Sequence, residues 1–242
     1  ALALFFNLKF NTELHFRLKN LLPDWKMIGT IYRVGLPSII MSSVGSVMNY
    51  GMNLILMSFS STAAVVFGVY YKLQSFIFMP IFGLNGGVVP IVAYNYGAGK
   101  RSRILSTMKL SVLVAECLMA VGVILFMFFP APLLRLFSAS DAMVAMGVPA
   151  LRIISTHFLI AGFCIVAGSI FQALGNGIYC LIVSVMRQLV VLLPAAFLLA
   201  KFIGLSAVWW SFPIAELMSC LVSTICFLRI KRKVIDHIPD NV

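Results

Sequence analysis

The chain has 242 residues, of which 62% are hydrophobic and 10% are charged, and its mean hydropathy is +1.05. Soluble domains carry about a quarter charged residues, so this excess of apolar side chains cannot be hidden inside one water-soluble globule. The alternation of polar and apolar residues in segments of about 10 that a transmembrane β-barrel requires is nearly absent. The composition therefore predicts an all-α integral membrane protein.

The net charge of +11 comes from basic residues that lie in short clusters between apolar runs. On a soluble chain this charge would suggest nucleic acid, but anionic lipid headgroups and membrane topology explain the clusters better. The five cysteines lie inside apolar runs without Cys-x-x-Cys spacing, so we expect small core residues rather than metal ligands or disulfides. We predict no nucleic-acid partner and no cofactor.

The first residues lack an initiator Met and a charged region before ALALFF, so they are interpreted as the end of a preceding helix in a fragment or half-length chain. Residues 8–19 alternate polar and apolar, which predicts an extended cytoplasmic linker. Pro23 and Asp24 are expected to cap a short amphipathic helix at the membrane interface, with Trp25, Ile28 and Tyr32 on one side.

Six stretches are long enough to cross a bilayer, which takes about 20 mostly apolar residues per helix. Judged by length and flanking helix breakers, they lie at residues 34–58, 64–94, 108–129, 146–174, 178–200 and 205–228. The expected regions are the end of a preceding helix plus a linker at residues 1–27, a six-helix transmembrane lobe at 28–230 and a cytoplasmic tail at 231–242.

The lysines and arginines predict the orientation of the lobe. Thirteen lie before the first span, around the loop after the second span or in the tail, whereas Arg135, Arg152 and Lys201 lie near the opposite side. Because lysine and arginine are enriched in cytoplasmic loops, both termini are predicted to be cytoplasmic, in the plasma (inner) membrane.

The run AYNYGAGKRS, from Ala93 to Ser102, contains the Gly-Lys pair of a phosphate-binding loop. That loop also needs a glycine five residues before the Gly-Lys glycine and a Ser or Thr after the lysine, but Tyr94 and Arg101 hold these places. We expect the glycines to end the second helix, and Lys100 to anchor it to anionic lipid.

Two polar groupings suggest an inward-facing surface. The first span carries small or polar side chains at steps of three or four, which share one helix face: Ser38, Ser42, Ser46, Asn49 and Asn53. This face must turn away from lipid, and either close helix packing or a hydrated cavity would achieve that. The asparagines favour the cavity, because each has four hydrogen-bonding sites that tight packing would struggle to fill.

The second span would be about 45 Å long at 1.5 Å per residue, which exceeds a hydrocarbon core of about 30 Å. Pro80, Pro90 and the glycines between them are predicted bend points, either of a helix that moves during alternating access or of ordinary kinks. Near the outer end, Tyr70, Tyr71, Lys72 and Gln74 form a polar cluster, in which Lys72 either reaches out to the interface or faces a pocket.

Ionisable residues inside spans are costly and are therefore functional candidates: Lys72, Glu116, His157, Arg187 and Glu216. The helical rise puts Arg187 about 14 Å and Glu216 about 20 Å from the inner ends of neighbouring helices, so we predict a structural ion pair. His157 is more readily explained as a satisfied polar residue than as a proton carrier. Zinc-ligand spacing and a nucleophile turn are missing from the sequence, so we expect no enzyme.

Five segments carry a family resemblance: GLPSII (Gly35 to Ile40), QSFIFMPIFGLNGGVVPIVAYNYGAGK (Gln74 to Lys100), FQALGN (Phe171 to Asn176), RQLVVLLP (Arg187 to Pro194) and WWSFPIAEL (Trp209 to Leu217). With these segments the chain resembles the carboxy-terminal six-helix lobe of bacterial members of the multidrug and toxic compound extrusion (MATE) family.

The resemblance implies one lobe of a two-lobe antiporter that expels organic, often cationic, drugs in exchange for Na⁺ or H⁺. An amino-terminal six-helix lobe or a second copy would complete it. Many relatives carry an acidic residue in the first helix of this lobe, where this sequence has serines and asparagines, so the coupling carboxylate is expected in the other lobe. The family pattern gives a cavity-lining role to Asn49, Asn53, Tyr71, Lys72, Gln74 and Gln172.

Two other functions stay open at this point. A flippase for lipid-linked saccharides, from a related superfamily, would need a cavity rich in lysine and arginine, and only Lys72 and Arg187 are expected inside the membrane, away from the ends of the spans. A truncated membrane protein that transports nothing is the other alternative.

Overall fold

The computed structural model describes residues 24–238; residues 1–23 and 239–242 lie outside the described part of the chain. Within the described part every regular element is a helix, which confirms the prediction of an all-α fold. The linker predicted at residues 8–19 lies outside it.

The helices are, in chain order, α1 Trp25–Met57, α2 Ser61–Gly97, α3 Arg101–Phe128, α4 Pro130–Arg135, α5 Asp141–Ser155, α6 Phe158–Ala173, α7 Gly177–Val185, α8 Leu193–Phe202, α9 Leu205–Val208 and α10 Ser211–Lys233. A π-helical segment, Met186–Leu192, joins α7 to α8, and a 3-10 turn, Ile235–His237, follows α10. In the described residues, five helical stretches are each long and apolar enough to cross a membrane, and α5 with α6 forms a sixth, bent by 51°. The six predicted spans are recovered when this bent pair counts as one.

The chain divides into two compact units, Ala1–Leu36 and Pro37–Val242. In the described part of the first unit, Asp24 Oδ1 accepts hydrogen bonds from the backbone N–H groups of Lys26 at 2.9 Å and Met27 at 3.4 Å. These bonds satisfy two donors that a helix start leaves unpaired. The sequence predicted a short separate helix here, whereas α1 has 33 residues. The site described below lies in the second unit.

Helix α2 spans 37 residues, which corresponds to about 55 Å at 1.5 Å per residue. Pro80 and Pro90 both lie inside it, and the helix continues through them. The predicted bend points therefore do not interrupt this helix.

The interruption lies instead in the fourth predicted span, between α5 and α6. Ser155 Oγ donates to the carbonyl of Arg152 at 2.9 Å, and Thr156 Oγ1 donates to that of Ile153 at 2.7 Å. Such side-chain bonds compete with the helix's own N–H donors for these carbonyls and often bend helices. They give a physical reason for the 51° bend, and the bend leaves His157 at the break.

Glycine ends α2, as the sequence predicted. Gly97 is the last helical residue, and Gly99 has a φ of 67°, in the left-handed region that glycine enters at little cost. The Lys100 N–H then donates to the carbonyl of Asn95 at 2.9 Å, a closing bond typical of helix C-termini. The run that resembled a phosphate loop thus has a structural explanation.

Helices α2, α3 and α6 pack directly against one another. A Cβ atom at Gly122 of α3 would lie 2.6 Å from Ile77 Cγ2 of α2 and 3.2 Å from a ring carbon of Phe158 in α6. The Phe158 ring also meets the rings of Phe78 and Phe126 edge to face, with centroids 5.4 and 5.2 Å away. This contact holds together three helices of the scaffold.

We therefore expect Gly122→Ala to destabilise the lobe by about 1 to 3 kcal/mol, because the branched Ile77 side chain cannot easily move from the added methyl group. Thermal unfolding of the purified protein in detergent measures this as a lower Tm. The matched control is Gly68→Ala in α2, where the added Cβ meets nothing within 4 Å and alanine favours the helix. Equal destabilisation by both variants would show that the close approach at Gly122 is unimportant.

Candidate functional site

A cavity of about 920 Å³ opens among the spanning helices of the second unit. Its walls come from α1, α2, α6, α7, the π-helical segment and α10. Its large apolar lining residues include Met41, Met48, Phe78, Met79, Phe82, Phe171 and Phe212. Its polar lining residues include Ser42, Tyr71, Gln74, Ser75, Asn85, Gln172, Gln188, Ser219 and Ser223. Large apolar walls with a small number of polar groups are typical of small-molecule pockets, and methionine adapts its shape to irregular ligands.

The π-helical segment Met186–Leu192 brings Arg187 and Gln188 to the cavity wall. We attribute the π turn to Pro194 in the first turn of α8, since proline has no N–H to offer the carbonyl of Val190 four residues earlier. Inside a membrane, local π turns are one way in which freed backbone groups regain partners. Such turns are also frequent at functional sites.

An ion pair lies on the cavity wall between the π-helical segment and α10. Arg187 Nη1 lies 3.3 Å from Glu216 Oε2, and the exposed fraction of the side chain is 30% for Arg187 but 4% for Glu216. Charge-assisted N–H···O bonds are usually about 2.7 to 2.9 Å long, so this contact is single and long. The arginine is thus the partner open to the cavity, and the carboxylate is the buried one.

Five buried polar atoms on this side of the bundle make no hydrogen bond of standard geometry in the described structure: Glu216 Oε1, Ser219 Oγ, Ser223 Oγ, His157 Nδ1 and the Tyr70 hydroxyl. The Cys164 thiol lies within hydrogen-bonding reach of both serines. The three α10 residues follow one another at steps of three and four, so they share one face of the helix, and all three line the cavity. Most buried polar groups in native proteins are paired. A cluster of unpaired atoms therefore marks this wall as the candidate site.

Aromatic rings hold the elements together at this wall. The Phe212 ring stacks on the His157 ring with centroids 6.2 Å apart, and the Tyr70 ring meets Phe212 edge-on at 5.5 Å. Tyr70, His157 and Cys164 all lie within electrostatic range of Glu216. The break between α5 and α6 is what brings the imidazole to this place.

Three of the six predicted cavity residues, Tyr71, Gln74 and Gln172, line the cavity. Ser42, from the polar face predicted on the first span, lines it as well. The side chain of Ser38, from the same face, lies outside the described structure.

The other three, Asn49, Asn53 and Lys72, are not among the lining residues of the described cavity. Asn53 Nδ2 donates to Asn49 Oδ1 at 2.8 Å and to the Asn49 carbonyl at 2.9 Å, so these amides bond along their own helix. Lys72 Nζ lies 6.0 Å from the centre of the Phe137 ring, in the connection between α4 and α5. This contact corresponds to the outward-reaching alternative for Lys72.

Sequence reasoning missed Asn85, Gln188, Ser219 and Ser223. The two serines could have been found, because they repeat at helical spacing after Glu216. Gln188 could not have been found in this way, because a π turn changes the residue spacing on which α-helical periodicity depends.

Glu116, the other acidic residue within the predicted spans, is not a lining residue of this cavity. Its carboxylate lies against α6, where a Cβ atom added at Gly162 would be 3.2 Å from Glu116 Oε1. In residues 24–238 no group of three or more His, Cys, Asp or Glu side chains is placed to hold a metal ion.

The family model described as MatE matches residues 37–198, more than half of the chain. The chain belongs to the MatE family. MatE proteins are membrane transporters and not enzymes, which agrees with the expectation from the sequence.

Two curated MatE relatives are multidrug export proteins named MepA. The protein from Staphylococcus haemolyticus (strain JCSC1435) is 30% identical over 217 residues, which are 88% of this chain and 48% of that protein. The protein from Staphylococcus aureus (strain bovine RF122 / ET3-1) is 29% identical over 230 residues, which are 92% of this chain and 50% of that protein. The chain thus spans about half the length of the curated relatives it matches.

Solved structures show the same MatE fold. A MOP superfamily transporter from Pyrococcus furiosus has a TM-score of 0.85 at 20% identity, over 97% of this chain and 54% of that one. A multidrug resistance MATE family transporter in an outward-facing conformation has a TM-score of 0.84 at 21% identity, over 96% of this chain and 53% of that one. The fold of this chain is therefore the fold of about half of each transporter.

The unequal burial of the ion pair predicts unequal effects of removing each partner. Arg187→Gln leaves a buried carboxylate without its counter-ion, which costs about 3 to 5 kcal/mol, whereas Glu216→Gln leaves an arginine that the cavity can hydrate. At pH 8 we expect Arg187→Gln to lower the Tm more than Glu216→Gln does. We expect the double variant Arg187→Gln/Glu216→Gln to recover most of the Tm that Arg187→Gln loses. A larger effect of Glu216→Gln, or additive losses in the double variant, would contradict the pairing.

Proposed function

We propose that the chain forms one lobe of a secondary multidrug antiporter, which exports organic, often cationic, compounds in exchange for Na⁺ or H⁺. The cavity is the observation that carries the proposal. Its volume of about 920 Å³ suits drug-sized molecules, whose pockets measure about 300 to 1,000 Å³. The named activity of the MepA relatives, multidrug export, supports the same function.

The chemistry of the walls supports cationic substrates. Phe78, Phe82 and Phe212 present aromatic rings to the cavity, and ring faces attract organic cations. The guanidinium of Arg187 is paired with Glu216, so it adds no uncompensated positive charge.

The saccharide flippase gains no support from this cavity. Holding a pyrophosphate would require several free cations. Among the described lining residues Arg187 is the one arginine or lysine, and Glu216 already pairs with it.

A second lobe would face this cavity in the complete transporter. Since the chain spans about half of its relatives, we propose that an amino-terminal six-helix lobe or a second copy supplies that wall. We also propose a plasma (inner) membrane location with both termini cytoplasmic, supported by the thirteen basic residues on one side.

The transport test compares drug accumulation in cells that express the complete transporter, with and without an imposed sodium or proton gradient. An antiporter lowers the accumulation of a cationic dye such as ethidium only while the gradient is present. Export that ignores both gradients, or no export at all, would contradict the proposed function. Movement of lipid-linked saccharide instead of dye would favour the flippase.

A variant that fills part of the cavity tests whether transport passes through this site. Gly45 lines the cavity on α1, so we expect Gly45→Phe to fill part of it and reduce dye efflux at least tenfold with unchanged membrane expression. Gly68→Phe is the matched control, because Gly68 is an exposed α2 position that does not line the cavity, and a Cβ atom added there meets nothing within 4 Å. Equal efflux by both variants would show that the cavity is not the transport path.

A further inference from the structure

Arg187 is the charged group that a molecule in the cavity can touch. Among the described lining residues it is the one arginine or lysine, and Glu216 is the one carboxylate. The exposed fraction of the side chain is 30% for Arg187 but 4% for Glu216. A bulky organic cation therefore cannot reach the carboxylate, whereas an anionic group of a bound molecule can reach the guanidinium.

Most hydrogen-bond donors of this guanidinium are unused. An arginine side chain has five N–H donors in a planar fork. In the described structure Arg187 donates one hydrogen bond, from Nη1 to Glu216 Oε2 at 3.3 Å. The remaining N–H groups can donate to a second carboxylate while this bond to Glu216 is kept.

The surrounding wall holds the guanidinium in position. Glu216 restrains one edge of it, and the next residue, Gln188, is itself fixed by a bond of 2.9 Å from its Nε2 to Ser184 Oγ. On the other side of Gln188, a Cβ atom added at Gly45 of α1 would lie 3.7 Å from its Oε1. A side chain that is already ordered loses less conformational entropy when it binds a ligand.

Aromatic rings lie about one helical turn from the guanidinium. Phe212 precedes Glu216 by four residues on α10, so the two share a helix face and are separated by about 6 Å along the helix axis. Phe78 and Phe82 of α2 also line the cavity. Ring faces attract organic cations. The cavity thus offers surfaces for a cation and a donor group for an anion at different places.

We propose, resting on the antiporter function above, that Arg187 binds the carboxylate of substrates that carry a carboxylate as well as an organic cation. The aromatic walls contact the flat cationic part of such a zwitterion, and the guanidinium donates hydrogen bonds to its carboxylate. Esterification of that carboxylate removes the charge-assisted bonds and weakens the contribution of Arg187 to binding about tenfold.

The charges of the wall fit a zwitterion. The ion pair gives the wall a formal charge of zero, and a zwitterion also has no net charge. Its binding therefore adds no uncompensated charge to a water-poor cavity, where such a charge is costly. A single guanidinium matches one carboxylate, in contrast to the several cations that a pyrophosphate requires.

The test compares rhodamine B with rhodamine B ethyl ester, which share one flat cation and differ in a free or an esterified carboxylate. Fluorescence anisotropy measures the dissociation constant of each dye for the purified complete transporter at neutral pH. The quantity of interest is the acid preference, defined as the dissociation constant of the ester divided by that of the free acid. This ratio cancels effects that act equally on both dyes.

The double variant Arg187→Gln/Glu216→Gln removes the guanidinium without leaving a buried charge unpaired, so we expect its acid preference to be about tenfold lower than that of the wild type. Glu216→Gln keeps the guanidinium and removes the carboxylate that shares it, so its acid preference should equal or exceed the wild-type value. Glu116→Gln, which removes a carboxyl outside the cavity, is the control and should keep the wild-type value.

The inference is overturned if the double variant keeps the wild-type acid preference, or if Glu216→Gln lowers it as much as the double variant does. Should the double variant fail to fold, Arg187→Lys replaces it, because lysine keeps the charge beside Glu216 but lacks the planar fork. Its acid preference should fall about threefold, and an unchanged value would overturn the inference.

The same measurements separate this inference from the proposed function. If the wild type binds and exports the ester but the acid preference does not depend on Arg187, only the role of Arg187 fails. If the wild type neither binds nor exports either dye, the antiporter function fails, and the role of Arg187 in substrate binding fails with it.

Discussion

Hydrocarbon offers a polar group no hydrogen-bond partner, and the organisation of this lobe follows from that constraint. Exposed positions on the spans carry large apolar side chains such as Phe76 and Phe197, while serine, glutamine and the Arg187–Glu216 ion pair line an interior cavity. The helices depart from regular α-helical geometry at places where their backbone groups have another hydrogen-bonding arrangement available. Hydroxyl groups bond the carbonyls at the α5–α6 break, and a π turn precedes Pro194. Both departures place functional candidates, His157 and Arg187, at the cavity wall.

The ion pair joins the π-helical segment to α10 at the cavity wall. A buried carboxylate is tolerated when a counter-ion accompanies it, and Arg187 meets that need from the more exposed side of the cavity. The same asymmetry leaves the guanidinium, and not the carboxylate, open to the cavity. The chain, which spans about half the length of its MatE relatives, thus contains a cavity with an ion pair on its wall.

Much of the architecture could be predicted from the sequence because it follows from lengths and breakers. The apolar runs gave the helices, glycine gave the end of α2 at Gly97, and the helical rise predicted that Arg187 and Glu216 meet, which the structure places 3.3 Å apart. Periodicity identifies a polar face but not the neighbour that covers it. The pair Asn49 and Asn53 therefore looked like cavity lining, although the two amides bond to each other. The bend between α5 and α6 depends on which groups hydrogen-bond the backbone carbonyls, and so does the π turn. The periodicity of apolar residues carries no information about these bonds.

Water access to the cavity is the most direct measurement of the central claim, that organic cations pass through this space. In a variant lacking the five native cysteines, a cysteine at the cavity-lining position Gln172 should react with a membrane-impermeant maleimide, and bound tetraphenylphosphonium should slow the reaction. A cysteine at the exposed α3 position Leu113, facing lipid, should stay unreacted. An unreactive cysteine at position 172, or labelling there that the cation leaves unchanged, would contradict the account.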